Sequence, residues 1–293
     1  MARFGRVLTA MVSPFDERGE LDLAAAVALA RWLVDQGNEG LVVSGTTGES
    51  PTLTHEEDER LWRAVAGAVT VPVIAGAGNN DTASSIERAK AAESAGAAGI
   101  LAVTPYYNRP SQAGLEAHFG AIAGATTLPV MLYDIPVRSG RKISSELILR
   151  LAQGHTNVVA VKDAAGDVAE SASLVSAAPP GFELYSGEDK LNLPLLAVGA
   201  VGVVGVASHW AAPEMVAMIA AWERGDDAEV LRLDQRLRPS YAFESSDAAP
   251  NPVPTKAMMR TLGHAVGEPR LPMGPTPAGL EDEARRVIAE LRG

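Results

Sequence analysis

The run Val158-Val159-Ala160-Val161-Lys162-Asp163 has four apolar residues followed by two charged ones. A short run that is apolar on both faces and rich in β-branched residues is typical of a strand buried in a parallel sheet. Because side chains alternate along a strand, Val158, Ala160 and Lys162 are expected to share one side. The run therefore predicts a buried strand with a lysine at its carboxyl end.

Seven similar runs are spaced along the chain and separated by helical patterns. The full set is Val7–Val12, Gly40–Ser44, Val71–Ala75, Gly99–Val103, Pro129–Tyr133, Val158–Lys162, Glu183–Ser186 and Gly202–Ala207. Eight such strands alternating with helices predict an α/β fold, a (β/α)8 TIM barrel. We expect the side that bears Lys162 to face the barrel interior, where Ala160 leaves room.

Capping signals mark several of the helices between these runs. They are Thr54 with Glu57 as a capping box opening a helix over 54–69, Asp81 or Thr82 and Ser144 or Ser145 as N-caps, and Gly37 and Gly96 as helix ends. An open doubly wound sheet is the alternative fold. It is disfavoured because Gly76-Ala77-Gly78 is followed by Asp81, where the dinucleotide fingerprint requires a third glycine.

Four helical patterns follow the eighth run, over Pro213–Arg224, Asp226–Ser240, Pro252–Gly263 and Thr276–Leu291. The first is interpreted as the last barrel helix and the others as a C-terminal extension. We therefore expect a barrel over 1–224 and a helical extension over 225–293, packed together as one domain. The stretch Ser245–Pro254, rich in Ser, Ala and Pro, is expected to join two of these helices.

Composition restricts the class of protein. The chain has 293 residues, 47% of them hydrophobic, a formal net charge of −11 and no cysteine. The acidic balance argues against a nucleic-acid partner, and the lack of cysteine excludes disulfides and thiolate chemistry. Met1–Pro14 shows no signal-peptide pattern, and no apolar stretch is long enough to span a membrane, so a cytoplasmic location is expected.

Lys162 is the first candidate for chemistry, because active sites of such barrels lie at the carboxyl ends of the strands. Desolvation lowers the pKa of a lysine and increases the neutral, nucleophilic amine needed for a Schiff base. The alternative interpretation is a lysine paired with a carboxylate at the barrel mouth. The residue alone does not decide between them.

Other candidates end neighbouring runs. Tyr133 ends the fifth run and can transfer protons, although it also fits a core tyrosine. Gly45-Thr46-Thr47-Gly48-Glu49 follows the second run and can form a nest for a carboxylate, or a plain turn. Arg138 can bind a second carboxylate or be a surface arginine. Tyr106 and Tyr107 suit an interface or the site.

The five histidines at 55, 118, 155, 209 and 264 have no metal-ligand spacing, so no metal is expected.

Together these residues resemble the dihydrodipicolinate synthase and N-acetylneuraminate lyase superfamily of lysine aldolases, over essentially the whole chain. The motifs that carry the resemblance are Gly45-Thr46-Thr47-Gly48-Glu49-Ser50, Thr104-Pro105-Tyr106-Tyr107-Asn108-Arg109-Pro110, Tyr133-Asp134-Ile135-Pro136, Val161-Lys162-Asp163-Ala164, Ser186-Gly187-Glu188-Asp189 and Asn251-Pro252-Val253-Pro254-Thr255-Lys256. Several ordered motifs are far more specific than any single one.

The resemblance implies a role for each candidate residue. Lys162 would form an imine with pyruvate, whose carboxylate Thr46 and Thr47 would hold. Tyr133, Thr46 and Tyr107 would relay protons, with Tyr107 reaching in from a neighbouring subunit. Arg138 would bind the carboxylate of L-aspartate 4-semialdehyde. Backbone groups near Gly187 and Val204 would line the site.

The implied activity is the condensation of pyruvate with L-aspartate 4-semialdehyde in lysine biosynthesis, by a homotetramer that needs no cofactor. The resemblance implies that Thr46 and Arg138 favour this reaction, because neuraminate lyases typically carry Ser-Thr in this loop and the sugar-acid members generally lack the arginine. A substrate with a second carboxylate needs a cation there, and a polyol chain does not. Cleavage of 2-keto-3-deoxy sugar acids or sialic acid is the alternative, and a non-catalytic sensor is a second one. A pyridoxal lysine is disfavoured, since no phosphate loop follows the seventh or eighth run.

A second, regulatory site for lysine is implied for some members of the superfamily. Ser50, His55, Asn80 and Tyr106 match its positions. Ser84 stands where a carboxylate would pair with the ligand amine, and Pro51 and Asp58 also depart from the lysine-sensitive pattern.

Overall fold

Eight parallel strands form a closed barrel in the computed structural model, which describes residues 2–293. They are β1 (Val7–Ala10), β2 (Gly40–Val43), β3 (Val73–Gly76), β4 (Gly99–Val103), β5 (Val130–Asp134), β6 (Val158–Asp163), β7 (Glu183–Ser186) and β8 (Gly202–Gly205). Val203 of β8 lies opposite Val7 of β1, and this pairing closes the sheet. The predicted barrel is confirmed, and the open sheet is wrong because neither outer strand is left unpaired.

The helices of the described chain surround and extend this barrel. They are α1 (Leu23–Asp35), α2 (His55–Ala66), α3 (Thr82–Ser94), α4 (Gln112–Gly124), α5 (Pro136–Ser139), α6 (Ser145–Gly154), α7 (Val168–Ala177), α8 (Asn192–Ala197), α9 (Ser208–Glu223), α10 (Asp227–Phe243), α11 (Val253–Thr261) and α12 (Leu280–Arg292). None has the length and apolar character needed to cross a membrane.

The strands separate two apolar layers. The layer inside the barrel contains buried side chains from all eight strands, which are Leu8, Val42, Ile74, Leu101, Met131, Tyr133, Ala160, Tyr185 and Val204. The alternate side chains pack outwards against the helices and form the larger core. This alternation, one side chain in and the next out, places Ala160 and Lys162 towards the interior as expected.

The start of β6 departs from the expected alternation. Val130 pairs with Val158, but Met131 pairs with Ala160, so the register slips by one residue. Val158 therefore packs in the outer core, and Val159 takes the inner position. The prediction that Val158 shares the side of Lys162 is wrong, because an extra residue in one strand reverses the side-chain order before it.

The capping predictions are confirmed where the structure tests them. Thr54 accepts from the backbone N–H of Glu57, while the Glu57 side chain accepts from that of Thr54. Asp81 caps α3 by accepting from the backbone N–H of Ser84, and Ser144 caps α6 by accepting from that of Leu147. Such caps satisfy backbone donors that a helix leaves without a partner in its first turn.

Some boundaries differ from those predicted. β3 begins at Val73, and Pro72, which lacks an N–H group, precedes it. α9 begins at Ser208, five residues before the predicted Pro213, and is interrupted at Ala211 by a non-helical φ of −119°. The kink leaves Pro213 near the start of a new helical turn, where proline is tolerated.

The segment after α9 packs against the barrel face that carries the βα loops. Lys256 of α11 is fully buried and forms an ion pair with Glu49, with 2.7 Å between Nζ and Oε1. Its ammonium group also lies 4.0 Å from the ring centre of Phe15. A residue of the C-terminal segment thereby holds the loop that follows β2.

Candidate active site

Lys162 and Tyr133 lie side by side at the carboxyl end of the barrel. They are paired positions of β6 and β5. The Lys162 Nζ lies 4.4 Å from the centre of the Tyr133 ring, and only 4% of Lys162 is exposed. Strand register thus brings an amine and a phenol together, as the sequence predicted.

Burial controls the charge of Lys162. It lowers the pKa of the ammonium group to about 8, against the opposing pull of Asp189, Glu244 and Glu188. Among residues 2–293, no carboxylate forms an ion pair with Lys162, so the alternative of a paired lysine does not fit. The neutral amine that nucleophilic attack requires is therefore appreciably populated near neutral pH.

The Tyr133 hydroxyl remains protonated over the physiological pH range. Burial raises the pKa of its hydroxyl well above the ordinary value, while the Arg138 charge and the Thr46 side chain oppose this rise. A protonated hydroxyl can donate to an oxygen that becomes negative during a reaction.

The loop after β2 is a tight turn. Ser44 and Glu49 both have a φ of 58°, in the left-handed region. The backbone N–H of Glu49 donates to the Thr46 carbonyl at 3.1 Å, and that of Ser50 donates to the Gly45 carbonyl at 3.2 Å. Two left-handed residues and two cross-turn hydrogen bonds fix the position of the threonines between them.

Thr47 is bound to the C-terminal segment. Asn251 Nδ2 donates to Thr47 Oγ1 at 2.9 Å, and the Asn251 side-chain oxygen accepts from Thr255. Arg138, at the mouth on α5, donates from Nη2 to the Asn251 carbonyl at 3.3 Å. Asn251 therefore connects two of the candidate residues, although the sequence assigned it no role.

These residues line one cleft of about 510 Å³, for which the name 'the cleft' is kept. Its walls include Thr46, Thr47, Tyr133, Arg138, Lys162, Gly187, Glu188, Val206, Glu244 and Asn251. A Cβ on Gly187 would lie 2.8 Å from Lys162 Cγ, so this position has space only for glycine. Val204 is fully buried in the inner layer, and Val206, two residues further on, lines the cleft.

Tyr107 lies outside the cleft of its own chain. Tyr107 is 90% exposed. Its backbone φ is 71°, a conformation that is costly for a residue with a side chain. The family resemblance implies that this side chain reaches a neighbouring subunit's site, and this stays a prediction.

The four residues of the implied regulatory site do not form one contact network. Ser50 and Tyr106 line a side pocket of about 210 Å³ that also borders Thr46 and Tyr133. His55 contacts Ser84 at 3.1 Å, and the Asn80 carbonyl accepts from Asn108. Beside the pocket, a buried ion pair joins Arg88 and Asp58, and Arg88 also donates to Ser50.

Sequence reasoning missed the roles of Asp189, Glu244 and Asn251. Asp189 and Asn251 stand inside the quoted motifs, which was the available signal. Glu244 carries no local signal, because it ends α10 and reaches the cleft only through the packing of the C-terminal segment. Within residues 2–293, no group of three His, Asp or Glu side chains is arranged to hold a metal ion.

Known proteins resemble this chain over nearly its whole length. The model of the dihydrodipicolinate synthetase family matches residues 3–291. A 4-hydroxy-tetrahydrodipicolinate synthase from Moorella thermoacetica is 48% identical over 99% of this chain and 98% of its own. One from Acidothermus cellulolyticus is 51% identical over 99% of this chain and 91% of its own.

Solved structures agree with these sequence matches. A dihydrodipicolinate synthase from Bacillus anthracis superposes with a TM-score of 0.94 at 44% identity, covering 99% of both chains. One from Cyanidioschyzon merolae, solved with lysine bound, has a TM-score of 0.96 at 42% identity and covers 100% of this chain and 99% of its own. The chain belongs to the dihydrodipicolinate synthetase family.

Proposed function

We propose that this protein is a lyase that condenses pyruvate with L-aspartate 4-semialdehyde to 4-hydroxy-tetrahydrodipicolinate, a step of lysine biosynthesis. The observation that carries the proposal is the buried Lys162 amine, free of an ion pair within residues 2–293 and 4.4 Å from the Tyr133 ring centre. The shared name of relatives that match nearly the whole chain supports this substrate pair.

The first half of the reaction activates pyruvate. The neutral Lys162 amine attacks the ketone carbon, and loss of water leaves a protonated imine. This positive nitrogen withdraws electrons, so a methyl proton is lost and an enamine forms. Thr46 and Thr47, fixed in the turn after β2, would hold the pyruvate carboxylate during these steps.

The second half joins the two substrates. The enamine carbon attacks the aldehyde, and the Tyr133 hydroxyl protonates the alkoxide that results. Arg138 would hold the aldehyde's carboxylate through its planar pair of donors. The amine of the substrate then attacks the imine carbon, which closes the ring and releases Lys162. Gly187 and the backbone near Val204 would complete the wall beside the imine.

We also propose that the active form is a homotetramer, with Tyr107 from a neighbouring chain completing each proton relay with Tyr133 and Thr46. The exposed, strained Tyr107 supports this assembly. Residues 225–293 would act as an extension of the barrel over 1–224, since Asn251 and Lys256 both hold the β2 loop. The reaction would take place in the cytoplasm, where pyruvate is produced.

The test follows the heterocyclic product through a coupled reductase, with wild-type protein and Arg138→Leu. We expect turnover in the wild type and its loss in Arg138→Leu, with pyruvate imine formation retained in both. Condensation that survives in Arg138→Leu would overturn the assignment of that arginine. A wild type that forms the imine but rejects the semialdehyde would favour the sugar-acid lyases, and one that forms no imine would favour a sensor.

We propose a weak regulatory response at Ser50, His55, Asn80 and Tyr106. The side pocket supports a small ligand there, but Ser84 offers no charge for an ammonium group. L-Lysine should inhibit weakly in the coupled assay. Inhibition at micromolar concentrations would contradict this expectation.

A further inference from the structure

The cleft contains carboxyl groups that the proposed reaction does not use. Glu188 follows Gly187 in the loop after β7, and Glu244 directly follows α10. Both line the cleft together with Lys162 and Arg138. Asp189 lies behind them and influences the charge of both.

Asp189 is occupied by the protein itself. Its Oδ2 accepts from the backbone N–H groups of Val206 and Ala207, each at 2.8 Å, and its Oδ1 accepts from Asn192 at 3.0 Å. A Cβ on Gly205 would lie 2.5 Å from Asp189 Oδ1, so the carboxylate is closely packed. Asp189 therefore joins the loops after β7 and β8, and its three donors come from the protein itself.

Glu244 has an unused oxygen. It is 7% exposed, yet its Oε2 has no hydrogen-bond partner in the described residues. Burial, followed by the neighbouring charge of Asp189 and a carboxyl–carboxyl hydrogen bond with Asp189, raises the pKa of this carboxyl well above its usual range. A buried polar atom without a partner is costly, and a cationic group in the cleft would both supply the partner and favour the carboxylate.

Glu188 is a second carboxyl group beside Lys162. It is half-buried and forms no ion pair within residues 2–293; burial and the Asp189 charge raise its pKa, while the charges of Lys190 and Lys162 and a hydrogen bond from the Lys190 backbone oppose that rise. The cleft is thus lined by two carboxyl groups and by the guanidinium group of Arg138.

We propose that Glu188 and Glu244 bind the α-ammonium group of an amino-acid aldehyde whose carboxylate is bound by Arg138, and that one of the two carboxylates takes a proton from it before the amine attacks the imine carbon. A zwitterionic head group has one charge of each sign, and the cleft is lined by side chains of both signs. This assignment rests on the proposed function and specifies what in the aldehyde is recognised. A sugar acid has no ammonium group, so the two carboxyls would select against it.

The test compares two aldehydes that differ only in the amino group. L-Aspartate 4-semialdehyde is the substrate, and 4-oxobutanoate, which has hydrogen in place of the amine, is used as a competing ligand. In Glu188→Gln and Glu244→Gln, the KM for the semialdehyde should rise at least about tenfold, as expected for loss of a charge-assisted hydrogen bond. The inhibition constant of 4-oxobutanoate and the KM for pyruvate should stay within about twofold of wild type.

Two further variants calibrate the result. Arg138→Leu should weaken both aldehydes, since both carry the carboxylate. Glu290→Gln, which removes an exposed carboxylate of α12, should change neither. Glu188 is half-buried, so Glu188→Gln decides the matter if Glu244→Gln does not fold.

Equal loss of affinity for both aldehydes, or no loss for either, would overturn the ammonium site while leaving the proposed reaction intact. A wild-type protein that traps pyruvate but does not condense the semialdehyde would instead overturn the proposed function.

Discussion

At the scale of single residues, the reactivity of Lys162 depends on what surrounds its side chain. Burial favours the neutral amine, while the carboxyl groups of Asp189, Glu244 and Glu188 favour the ammonium form and would also favour the iminium that we propose. A site that holds both an amine and its cationic product needs both influences. Gly187 leaves the space that the Lys162 side chain occupies, because a Cβ there would lie 2.8 Å from Lys162 Cγ.

Gly187→Ala should lower kcat by roughly 100-fold, because its Cβ would displace Lys162 from the substrate carbon. Gly154→Ala is the matched control: this glycine lies in α6 with no atom within 4 Å of an added Cβ. Steady-state kinetics in the coupled assay measures both, with circular dichroism to verify the fold. Gly187→Ala activity within about twofold of the control would show that the lysine tolerates the displacement.

Lys162 and Tyr133 were predictable at this scale because each ends a buried apolar run, and strand alternation sets the direction of its side chain. Glu244 and Asn251 were not assigned roles, because they reach the cleft through tertiary packing of a segment that has no local relation to the strands. Propensity and periodicity carry no information about such contacts.

At the scale of elements, the ends of β5 and β6 carry a second set of polar groups on the outer face. Asp134, next to Tyr133, points away from the cleft towards Lys142, Asp163 and Glu170. Burial raises the pKa of Asp134 to about 6, despite a hydrogen bond from the Ile143 N–H and the nearby Lys142 charge. The ionised form therefore destabilises the fold.

The sign of the pH effect follows from this raised pKa. Between about pH 4 and pH 6 the folded protein holds a proton on Asp134 that the unfolded chain releases, so stability falls as pH rises, by on the order of 3 kcal/mol in total. Asp134→Asn removes this titration and keeps an acceptor for Ile143. The free energy of unfolding of Asp134→Asn relative to wild type should therefore increase from pH 4 to pH 6 and then level off.

Urea denaturation across this pH range measures the difference, with the exposed Asp35→Asn of α1 as a control. A difference that stays constant, or shrinks as pH rises, would contradict a raised pKa at Asp134.

The existence of each strand was predictable from its apolar run, but the slip at Val158 was not, because register depends on the neighbouring strand β5. The same limit applies to the kink at Ala211 in α9, which a local pattern starting at Pro213 does not reveal.

At the scale of the whole molecule, the cleft is assembled from distant parts of the chain. The Glu49–Lys256 pair and the Thr47–Asn251 hydrogen bond attach the C-terminal segment to the loop after β2. The sequence predicted a packed helical extension but no role for it. These contacts indicate a role, which is to hold the loop after β2 that contains Thr46 and Thr47.

The proposed oligomer makes a prediction about mixtures of inactive chains. Tyr107→Phe and Lys162→Ala chains, each impaired alone, should regain activity when co-expressed. One site in each mixed pair would have Lys162 from one chain and Tyr107 from the other, so random pairing restores about a quarter of wild-type activity. Mixing Tyr133→Phe with Lys162→Ala should restore none, since both residues belong to the same site. Activity regained by both mixtures, or by neither, would contradict a shared site.

The measurement that bears most directly on Lys162 is borohydride trapping with pyruvate, followed by mass spectrometry of the peptides. We predict one reduced pyruvate on Lys162, none in Lys162→Ala, and a trapping rate that rises with pH up to about 8, because the pKa of this amine is lowered to about 8 and only its neutral form attacks. An adduct on another lysine, or none in the wild type, would contradict Schiff-base catalysis at Lys162.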